Sequence, residues 1–502
     1  MIPPSAFLQN LSETIVSKSR LVSSLFVVAF CFAAAIAASA QTLTTLYTFD
    51  FYHGRRPHSP LVQGLNGNFF GTTFYGGNTD DGTVFEITST GALRSLYNFC
   101  QLPSCGDGLN PSDALILGLD GDFYGTTQEG GANGGGCSGG CGTVFKITPG
   151  GVLTTLYSFC ALPGCTDGYQ PDGLVQGADG NFYGTTLYGG SNTPACLGFC
   201  GTLFKLTPQG ALTTLYTFCS QKNCADGAAP EPGLIQASNG NFYGTTFSGS
   251  TGGVVFEITP AGQYSVLYTY RANAPMGLIQ AGNGDLYGTT PNGGAYHGGS
   301  VFRITLNGKF STLYSFCRQS GCPDGMDPSS VLVQGTDGNL YGTASAGGAN
   351  TNTNDCPSGC GTIFSLSQTG TFTTLYNFCS LANCADGDGP GLGMIQGTDG
   401  KFYGNTGVNY YGPEGTIFSF DMGLGPYIEA ETGFGNVGRQ IGILGNSLSS
   451  TTAVSFNGTP ATFQILSDTL VRATVPAGAT TGMIQLTNSS GTLSTKVPFI
   501  VR

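Results

Sequence analysis

An all-β fold is predicted by three features of the 502-residue sequence. Gly occurs 82 times, and only 9% of the residues are charged. Thr, Ser and Asn supply most of the other polar side chains, a mixture that favours strands and turns over helices. Short runs of aromatic and β-branched residues recur along almost the whole chain. The 34 Phe and 23 Tyr side chains provide enough apolar surface for a large core.

The first forty residues have the pattern of a secretory signal peptide. Lys18 and Arg20 precede the apolar run LVSSLFVVAFCFAAAIAA, which ends in the small-residue sequence ASA before Gln41. An uncleaved membrane anchor is the alternative, because the run is about as long as the shortest spanning helices. We expect cleavage and a mature chain, residues 41–502, that is secreted or envelope-associated and has no membrane span.

The middle of the chain repeats one unit seven times. Its most regular element resembles GNFYGTT and begins at positions 67, 121, 180, 240, 284, 338 and 400. The copies lie about 44 to 62 residues apart, a period typical of a four-stranded propeller blade. In the third copy, strands 1 to 4 are expected at GLVQG, NFYGTT, GTLFKLT and ALTTLYTF. The sequence therefore predicts a seven-bladed β-propeller over residues 41–423.

An Asn-Gly or Asp-Gly pair precedes strand 2 in every copy. Such pairs predict type I′ turns, in which both central residues have positive φ. Calcium binding or catalysis by the turn aspartates is the alternative. Turn formation is favoured because Asn replaces Asp freely and no D-x-D-x-D-G loop is present.

The seventh unit lacks a strand, and the N-terminus has one to spare. The last unit ends at GTIFSFD, near Asp421, whereas an extra LTTLYTF occupies residues 43–49. Closing the ring with this segment would remove open sheet edges, which favour aggregation. We therefore expect the N-terminal strand to complete the seventh blade.

Sixteen cysteines of the predicted mature chain form eight short pairs, five C-x4-C and three C-x3-C. The pairs are Cys100/Cys105, Cys137/Cys141, Cys160/Cys165, Cys196/Cys200, Cys219/Cys224, Cys317/Cys322, Cys356/Cys360 and Cys379/Cys384. Three arrangements are open: local disulfides, disulfides between the two kinds of pair, or zinc held by four thiolates. Local disulfides are favoured, because several C-x4-C loops enter units without a C-x3-C pair and a secreted chain is oxidised. No cofactor or metal is predicted.

Both kinds of cysteine loop are expected on one face of the propeller. The C-x4-C loops connect strand 4 to the next strand 1, the C-x3-C loops connect strands 2 and 3, and strand direction alternates. Long loops on a rigid scaffold often carry binding residues. The candidate ligand-contacting residues of this loop face are Tyr75, Tyr188, Tyr296, Tyr410 and Tyr411, with loop packing as the alternative.

Charge and motif content restrict the function. The formal net charge of −12 and the absence of a Lys/Arg cluster oppose nucleic-acid binding. The three histidines, at positions 53, 58 and 297, form no recognisable triad or metal motif. Two of them lie with Arg55 and Arg56 in the loop FYHGRRPHSP, which could hold an anionic group. Carboxylate catalysis stays open, through Glu129, Asp80, Asp81 and Asp355 on the loop face.

The C-terminal segment, residues 424–502, has short apolar strands separated by Gly, Asn and Pro, which predicts an antiparallel sandwich. It resembles IPT/TIG immunoglobulin-like domains through VSFNGTPATF, SDTLVRATVPAGATTG and the final PFIV. The repeats are similar to the Gloeo/Verruco tandem repeat through DGNFYGTT, GTVFKITPGG and LTTLYSFC. These resemblances imply an exported, envelope-associated or extracellular bacterial protein.

The expected function is non-catalytic binding. Disulfide-stapled loops on one face of the propeller would present a surface to an extracellular glycan or a surface protein. A carbohydrate-active hydrolase or lyase and a purely structural or adhesion scaffold are the alternatives.

Overall fold

The structure is a computed structural model that describes residues 41–134, 137–190, 200–250, 252–271, 275–351, 356–407 and 414–502. The predicted signal peptide lies outside these ranges. The helices within them are single 3-10 turns, at Pro103–Cys105, Pro163–Cys165, Lys222–Cys224, Ala382–Cys384 and Leu448–Ser450. No described helix is long and apolar enough to cross a membrane. The predicted all-β class is confirmed.

The described part of the repeat region forms seven antiparallel sheets, which we number in chain order. Sheet 1 contains Val62–Gln63, Phe69–Thr73, Thr83–Ile87 and Leu93–Asn98; sheet 2 contains Leu109–Pro111, Ile116–Leu117, Phe123–Glu129, Thr143–Ile147 and Leu153–Ser158; sheet 3 contains Tyr169–Gln176, Phe182–Tyr188, Thr202–Leu206 and Leu212–Thr217. Sheet 4 contains Ala228–Pro230, Ile235–Gln236, Phe242–Ser248, Val254–Ile258 and Tyr264–Thr269; sheet 5 contains Met276–Gln280, Leu286–Thr290, Ser300–Ile304 and Phe310–Ser315. Sheet 6 contains Val333–Gln334, Leu340–Ala344, Thr362–Leu366 and Phe372–Asn377; sheet 7 contains Ile395–Gln396, Phe402–Thr406, Thr416–Asp421 and Thr42–Thr48.

Sheet 3 shows why aromatic and threonine positions recur in the repeat. The first five residues of strand 2, Phe182–Tyr188, are buried, because neighbouring sheets cover both faces. Strands 2 and 3 pair with Phe182 opposite Leu206 and Thr186 opposite Thr202. The two buried threonine hydroxyls lie 2.8 Å apart and satisfy each other. The GTT and GT motifs therefore place a hydrogen-bonded hydroxyl pair inside the sheet.

The predicted type I′ turns are wrong. In sheet 3, the Gly180 N–H donates to the Gly177 carbonyl, and the Gly177 N–H donates to the Asn181 carbonyl. Only the glycine of each Asn-Gly or Asp-Gly pair has positive φ, +81° at Gly180; the preceding Asp179 does not. This geometry is a type I turn followed by a glycine bulge. The glycine bulge gives the hairpin a twist that a type I′ turn would otherwise give. Only the glycine of each pair therefore needs positive φ.

The turn aspartates have structural partners. The carboxylate of Asp179 accepts hydrogen bonds from the Tyr183 hydroxyl at 2.9 Å and from the Lys205 ammonium at 2.8 Å. Burial opposes ionisation of this group, but hydrogen bonds from Lys205, Asn181 and Tyr183 lower the pKa of Asp179 to about 2. The Asp of this turn therefore anchors strands 2 and 3.

Aromatic side chains of strand 2 join successive sheets. The second aromatic residue of one copy packs on the first of the next, with ring centroids 3.9 to 4.3 Å apart, in the pairs Phe70–Phe123, Tyr124–Phe182, Tyr183–Phe242, Tyr341–Phe402 and Tyr403–Phe69. Leu286 and Leu340 replace the first aromatic residue in sheets 5 and 6, where they share buried clusters with Tyr243 and Tyr287. The last aromatic pair joins sheet 7 to sheet 1, so the sheet-to-sheet contacts return to their start.

The N-terminal strand completes sheet 7, as expected. Thr42–Thr48 forms its outer strand, next to Thr416–Asp421. The pairing continues past the strand, where the Phe49 N–H donates to the Gly415 carbonyl at 2.9 Å. On the inner side, the Thr398 N–H donates to the Gln63 side-chain carbonyl at 3.0 Å. Both ends of the repeat region are therefore fastened to each other.

A β-sandwich follows the repeats. One sheet contains Glu429–Ala430, Gln440–Leu444, Leu470–Thr474 and Phe463–Ile465, the other contains Thr459–Pro460, Ala453–Phe456, Ile484–Asn488 and Gly491–Ser494, and Phe434–Gly435 pairs in parallel with Ile500–Val501. Alternate residues such as Ile441, Ile443 and Val471 point inward and form one buried core. The sandwich predicted from the sequence is present.

The sandwich contacts the propeller at the short turns between strands 1 and 2. The buried Tyr427 hydroxyl donates to the Gln396 carbonyl at 2.5 Å. The Asn446 amide donates to the Thr398 hydroxyl at 2.9 Å, and the Thr469 hydroxyl donates to a backbone carbonyl of sheet 1 at 3.0 Å. In an antiparallel meander, these turns lie opposite the loops that join strands 2 and 3. The sandwich therefore leaves the loop face uncovered.

Candidate functional site

A cavity of about 270 Å³ lies at the loop face, where the inner strands of several repeats converge. We call the space between these inner strands the channel. The polar wall of the cavity comes from Arg56, His58, Tyr75, Ser112, Gln128 and Asp172, and its apolar wall includes Phe74, Pro232 and Leu392. These residues belong to repeats 1, 2, 3, 4 and 7. The site therefore exists only when the ring of sheets is assembled.

The segment before sheet 1 is fastened to the end of its strand 2. The Arg55 N–H donates to the Tyr75 carbonyl at 2.9 Å, and the Tyr75 N–H donates back at 3.2 Å. The Arg55 guanidinium also forms a two-pronged ion pair with Asp80, at 3.0 and 2.6 Å. The guanidinium carbons of Arg55 and Arg56 lie 5.1 and 5.6 Å from the Tyr75 ring centroid. These contacts position Arg56 and Tyr75 at the cavity.

His58 is neutral at neutral pH. Burial, reinforced by the nearby positive charge of Arg56, lowers the pKa of His58 to about 4; a hydrogen bond with the Ser112 backbone opposes this shift. A neutral imidazole offers one hydrogen-bond donor and one acceptor. Arg56 is therefore the positively charged side chain of the cavity wall, and His58 supplies uncharged polar contacts.

Three carboxyl groups lie at or beside the cavity, one in the innermost strand of sheet 3 and two between the short inner strands of sheets 2 and 4. They are Asp113, Asp172 and Glu231, and each is partly accessible to solvent although protein surrounds it. The Asp172 carboxylate accepts a hydrogen bond from the Ser112 hydroxyl at 3.2 Å. The Asp113 carboxylate accepts one from the next backbone N–H at 2.7 Å.

Burial controls the charge of these carboxyl groups. It raises the pKa of Asp113 to about 6 and that of Glu231 to about 7. The pKa of Asp172 is raised by burial and, in addition, by the negative charges of Asp113 and Glu231. Like charges this close disfavour simultaneous ionisation. Near neutral pH the group therefore retains protons, so it can donate as well as accept hydrogen bonds.

The predicted tyrosines lie in different surroundings. Tyr75 lines the cavity. The Tyr188 ring stacks on that of Tyr169 with centroids 5.2 Å apart, and Tyr296 is half exposed. Tyr410 and Tyr411 lie outside the described residues. The structure thus brings one of the five candidates to the cavity, and ligand contact by any of them stays a prediction.

The loop-face carboxylates are also dispersed. Asp80 is held by Arg55, and hydrogen bonds from Arg55 and Gly76 lower the pKa of Asp80 against the opposing effect of burial. Burial, together with the charge of Asp81, raises the pKa of Glu129. Asp355 lies outside the described residues. None of the three described carboxylates lines the cavity.

The three carboxyl groups were not predicted from the sequence, because they lie outside the long loops of the loop face. A signal was present in PSDAL, QPDGL and PEPGL. There, an acidic residue stands two or three positions before the Leu of strand 1, where the other copies have no acidic residue. An acidic residue at the start of an otherwise apolar inner strand indicates a polar site where the inner strands converge.

Seven of the eight predicted cysteine pairs are fully described, and the structure joins each by a disulfide: Cys100–Cys105, Cys137–Cys141, Cys160–Cys165, Cys219–Cys224, Cys317–Cys322, Cys356–Cys360 and Cys379–Cys384. The eighth pair is Cys196/Cys200, and its first member, Cys196, lies outside the described residues. Cys200 is described: it is fully buried beside Cys219 and Cys224 and is itself disulfide-bonded. The local pairing of Cys200 with Cys196 stays a prediction.

The two kinds of cysteine pair are neighbours in the structure, although the sequence predicted that each pair stands alone. In sheet 2 they are adjacent, because strand pairing sets Thr143 opposite Ser158 and so brings Cys141 beside Cys160. In sheets 2 and 6, the C-x3-C loop therefore meets the C-x4-C loop that follows strand 4 of the same sheet.

Several solved structures are similar to the chain at low identity. A fungal alcohol oxidase of the AA5 family in complex with copper is 11% identical and has a TM-score of 0.48, covering 91% of this chain and 98% of that chain. The PQQ-bound aldose sugar dehydrogenase from Streptomyces coelicolor is 12% identical, with a TM-score of 0.37 and coverage of 76% and 98%. A protein of unknown function from Bacteroides thetaiotaomicron is 13% identical, with a TM-score of 0.40 and coverage of 76% for both chains. We transfer no activity from these structures.

Family comparison accounts for nearly the whole sequence. A comparison with curated proteins finds no match. The family described as the Gloeobacter/Verrucomicrobia repeat matches residues 32–252 and 250–430, and the IPT/TIG domain matches residues 427–501. Because the repeat match covers well over half of the chain, the protein belongs to the Gloeobacter/Verrucomicrobia repeat family and carries an IPT/TIG domain at its C-terminus.

Proposed function

We propose that the protein is an extracellular, non-catalytic binding protein whose loop-face cavity takes a hydroxyl-rich unit of a glycan. One observation carries this proposal: Arg56, His58 and Tyr75 meet Asp172 in a single cavity at the end of the channel. The disulfides and the repeat family support an extracellular setting.

The chemistry of the cavity suits a neutral polyol. Sugar hydroxyls both donate and accept hydrogen bonds, and the wall offers groups of both kinds. Arg56 donates, neutral His58 does both, and the Asp172 carboxyl group accepts or, when protonated, donates. Phe74 and Tyr75 add aromatic surface for the apolar face of a sugar ring.

The size and position of the cavity favour a glycan over a protein partner. A volume of about 270 Å³ is near the lower end of small-molecule sites and suits a sugar unit. The sandwich is docked at the opposite end of the propeller, so a polymer can reach the cavity from the loop face. A protein surface would instead have to engage the surrounding loops.

The proposal is tested with the chain of residues 41–502 and a panel of bacterial and plant polysaccharides, scored for retention and for cleavage. We expect retention without cleavage. Asp172→Asn and Tyr75→Ala should each weaken retention at least tenfold. Tyr296→Ala is the matched control, because Tyr296 is exposed on the same face and does not line the cavity.

Cleavage of a glycan, by a hydrolase or a lyase reaction, is the second candidate function. The observation that favours it is the group of inner-strand carboxyls, since a carboxylic acid that stays protonated near neutral pH can act as a general acid. In the same panel, cleavage that is abolished by Asp172→Asn would replace the binding proposal. Neither retention nor cleavage would refute both and favour a protein partner or a structural role.

A further inference from the structure

Four cysteine sulfurs from two loops of sheet 2 converge at one point. The Sγ atoms of Cys137, Cys141, Cys160 and Cys165 all lie within 4.8 Å of one another. Across the two pairs, the Cys137 Sγ is 3.9 Å from the Cys160 Sγ. In a tetrahedral zinc site with four thiolates at about 2.3 Å, neighbouring sulfurs are about 3.8 Å apart. Reduction of the two disulfides would therefore leave four thiols close to the spacing of a tetrahedral site.

The backbone holds the two loops together independently of any sulfur bond. The Phe159 N–H donates to the Gly142 carbonyl at 3.0 Å, directly beside Cys141 and Cys160. The Gln170 N–H donates to the Cys141 carbonyl at 2.9 Å. The positions of the cysteines are thus set by the strands, which is the preorganisation that metal binding requires.

The same arrangement recurs in sheet 6. Cys356, Cys360 and Cys379 have sulfur atoms within 4.8 Å of one another. The separation between the second and third cysteine is 19 residues in both sheets, from Cys141 to Cys160 and from Cys360 to Cys379. The cluster is therefore a feature of the repeat rather than an accident of one loop.

Sheets 1 and 5 lack a C-x3-C pair and show what replaces it. In sheet 1, Asp81 takes the place of Cys141 before Gly-Thr, and its carboxylate lies within 4.8 Å of the sulfurs of Cys100 and Cys105. Carboxylate is itself a zinc ligand. In sheet 5 the corresponding residue is Gly298, which has no donor side chain. Asp81 can therefore supply a third ligand in sheet 1, whereas Gly298 cannot supply one in sheet 5.

We propose that Cys137, Cys141, Cys160 and Cys165 form a site for a thiophilic divalent cation such as zinc when they are reduced, and that the two disulfides are the oxidised state of the same site. The newly synthesised chain carries thiols, so binding then releases protons and transfers no electrons. From the oxidised state, two molecules of a dithiol supply four electrons and four protons, two of each to each disulfide, and each dithiol is oxidised to a cyclic disulfide. The bound metal would tie the two loops together on the loop face.

The test uses the chain of residues 41–502, reduced with a dithiol, freed of excess reductant without oxygen, and titrated with Co²⁺ and then Zn²⁺. Tetrahedral cobalt thiolates have intense charge-transfer and d–d absorption, and native mass spectrometry counts the bound ions. Cys141→Ser should remove one metal ion per chain. Cys322→Ser, in the loop after sheet 5, is the matched control and should remove none, because no other cysteine among the described residues joins its pair in a cluster.

The oxidised chain should bind no cobalt, and Zn²⁺ should displace Co²⁺ from the reduced chain. If Cys141→Ser fails to fold, the less buried Cys137→Ser serves the same purpose. The proposal is overturned if the folded, reduced chain shows no thiolate spectrum, or if Cys141→Ser and Cys322→Ser lower the metal content equally.

Discussion

Replacing Glu231 by Gln is expected to stabilise the protein at pH 8 and to leave its stability near pH 4 unchanged. Burial raises the pKa of Glu231 to about 7, from a usual value of 4.5. The folded chain therefore retains a proton that the unfolded chain has released between these two pH values. The contribution of Glu231 to folding stability therefore falls as pH rises through this window, and its full penalty is present above pH 7.

The magnitude follows from the difference between the two pKa values. At about 1.4 kcal/mol per pKa unit, the shift of Glu231 corresponds to about 3 kcal/mol. Because the side chain is partly accessible through the channel, we expect a gain of about 2 to 3 kcal/mol in the free energy of unfolding at pH 8. Glutamine keeps the shape of the side chain and cannot ionise, so it removes only the penalty of the charge.

The assay is urea unfolding of residues 41–502 at a series of pH values from 4 to 8. Tyrosine fluorescence reports the transition, since the chain contains no Trp. The reasoning is refuted if Glu231→Gln stabilises the protein equally at pH 4 and pH 8, or destabilises it at pH 8.

Glu86→Gln is a control for which the opposite effect on stability at pH 8 is expected. Burial opposes ionisation of Glu86, but hydrogen bonds from Asn68, Arg94 and Asn66 outweigh it and lower its pKa. Its carboxylate therefore stabilises the folded chain above its usual pKa, and this contribution is lost as pH falls through the lowered value. Glu86→Gln should destabilise the protein at pH 8 and have less effect in acid, the reverse of the result for Glu231→Gln.

Three further predictions concern closure, docking and the channel histidine. Removing residues 41–49 exposes the edge of Thr416–Asp421, so size-exclusion chromatography should show self-association and the melting temperature should fall. Tyr427→Phe removes the hydrogen bond to the Gln396 carbonyl and should lower the free energy of unfolding in urea by about 1 kcal/mol. An unchanged free energy of unfolding would contradict a stabilising role of that contact. Because the pKa of His58 is lowered to about 4, the contribution of His58 to stability should fall as pH drops from 6.5 towards 4, opposite in sign to that of Glu231. Relative to the wild type, His58→Gln should therefore gain stability over this range, and an unaltered pH profile would argue against a buried neutral imidazole.

Local patterns were sufficient to predict the strands and the closure. Alternating aromatic and β-branched residues define strand 2 at Phe182–Tyr188, and the spare N-terminal copy was correctly assigned to sheet 7. The turn type was predicted wrongly. The Asp-Gly pair at Asp179 is compatible with both type I′ turns and type I turns with a bulge. The pairing of Gly177 with Asn181 leaves a three-residue loop, which selects the second.

The candidate site could be predicted only in part. Tyr75 was a candidate because the sequence placed it on a long loop, and the loop of Arg56 was noted for its charge. Asp172 reaches the cavity from an inner strand two repeats away in the sequence. Nothing local to QPDGL indicates that its carboxylate faces Ser112 and Arg56 across a channel.

The sequence by itself determined the all-β class, the repeat unit, the strand frame and the strand that closes the ring, because each rests on residue patterns within one unit. Only the tertiary structure decided which units face each other. Asp113, Asp172 and Glu231 share a charge environment because three inner strands converge, and Cys141 meets Cys160 because strands 3 and 4 pair. Such contacts depend on distances between chain segments that are far apart in sequence, and local propensity carries no information about those distances.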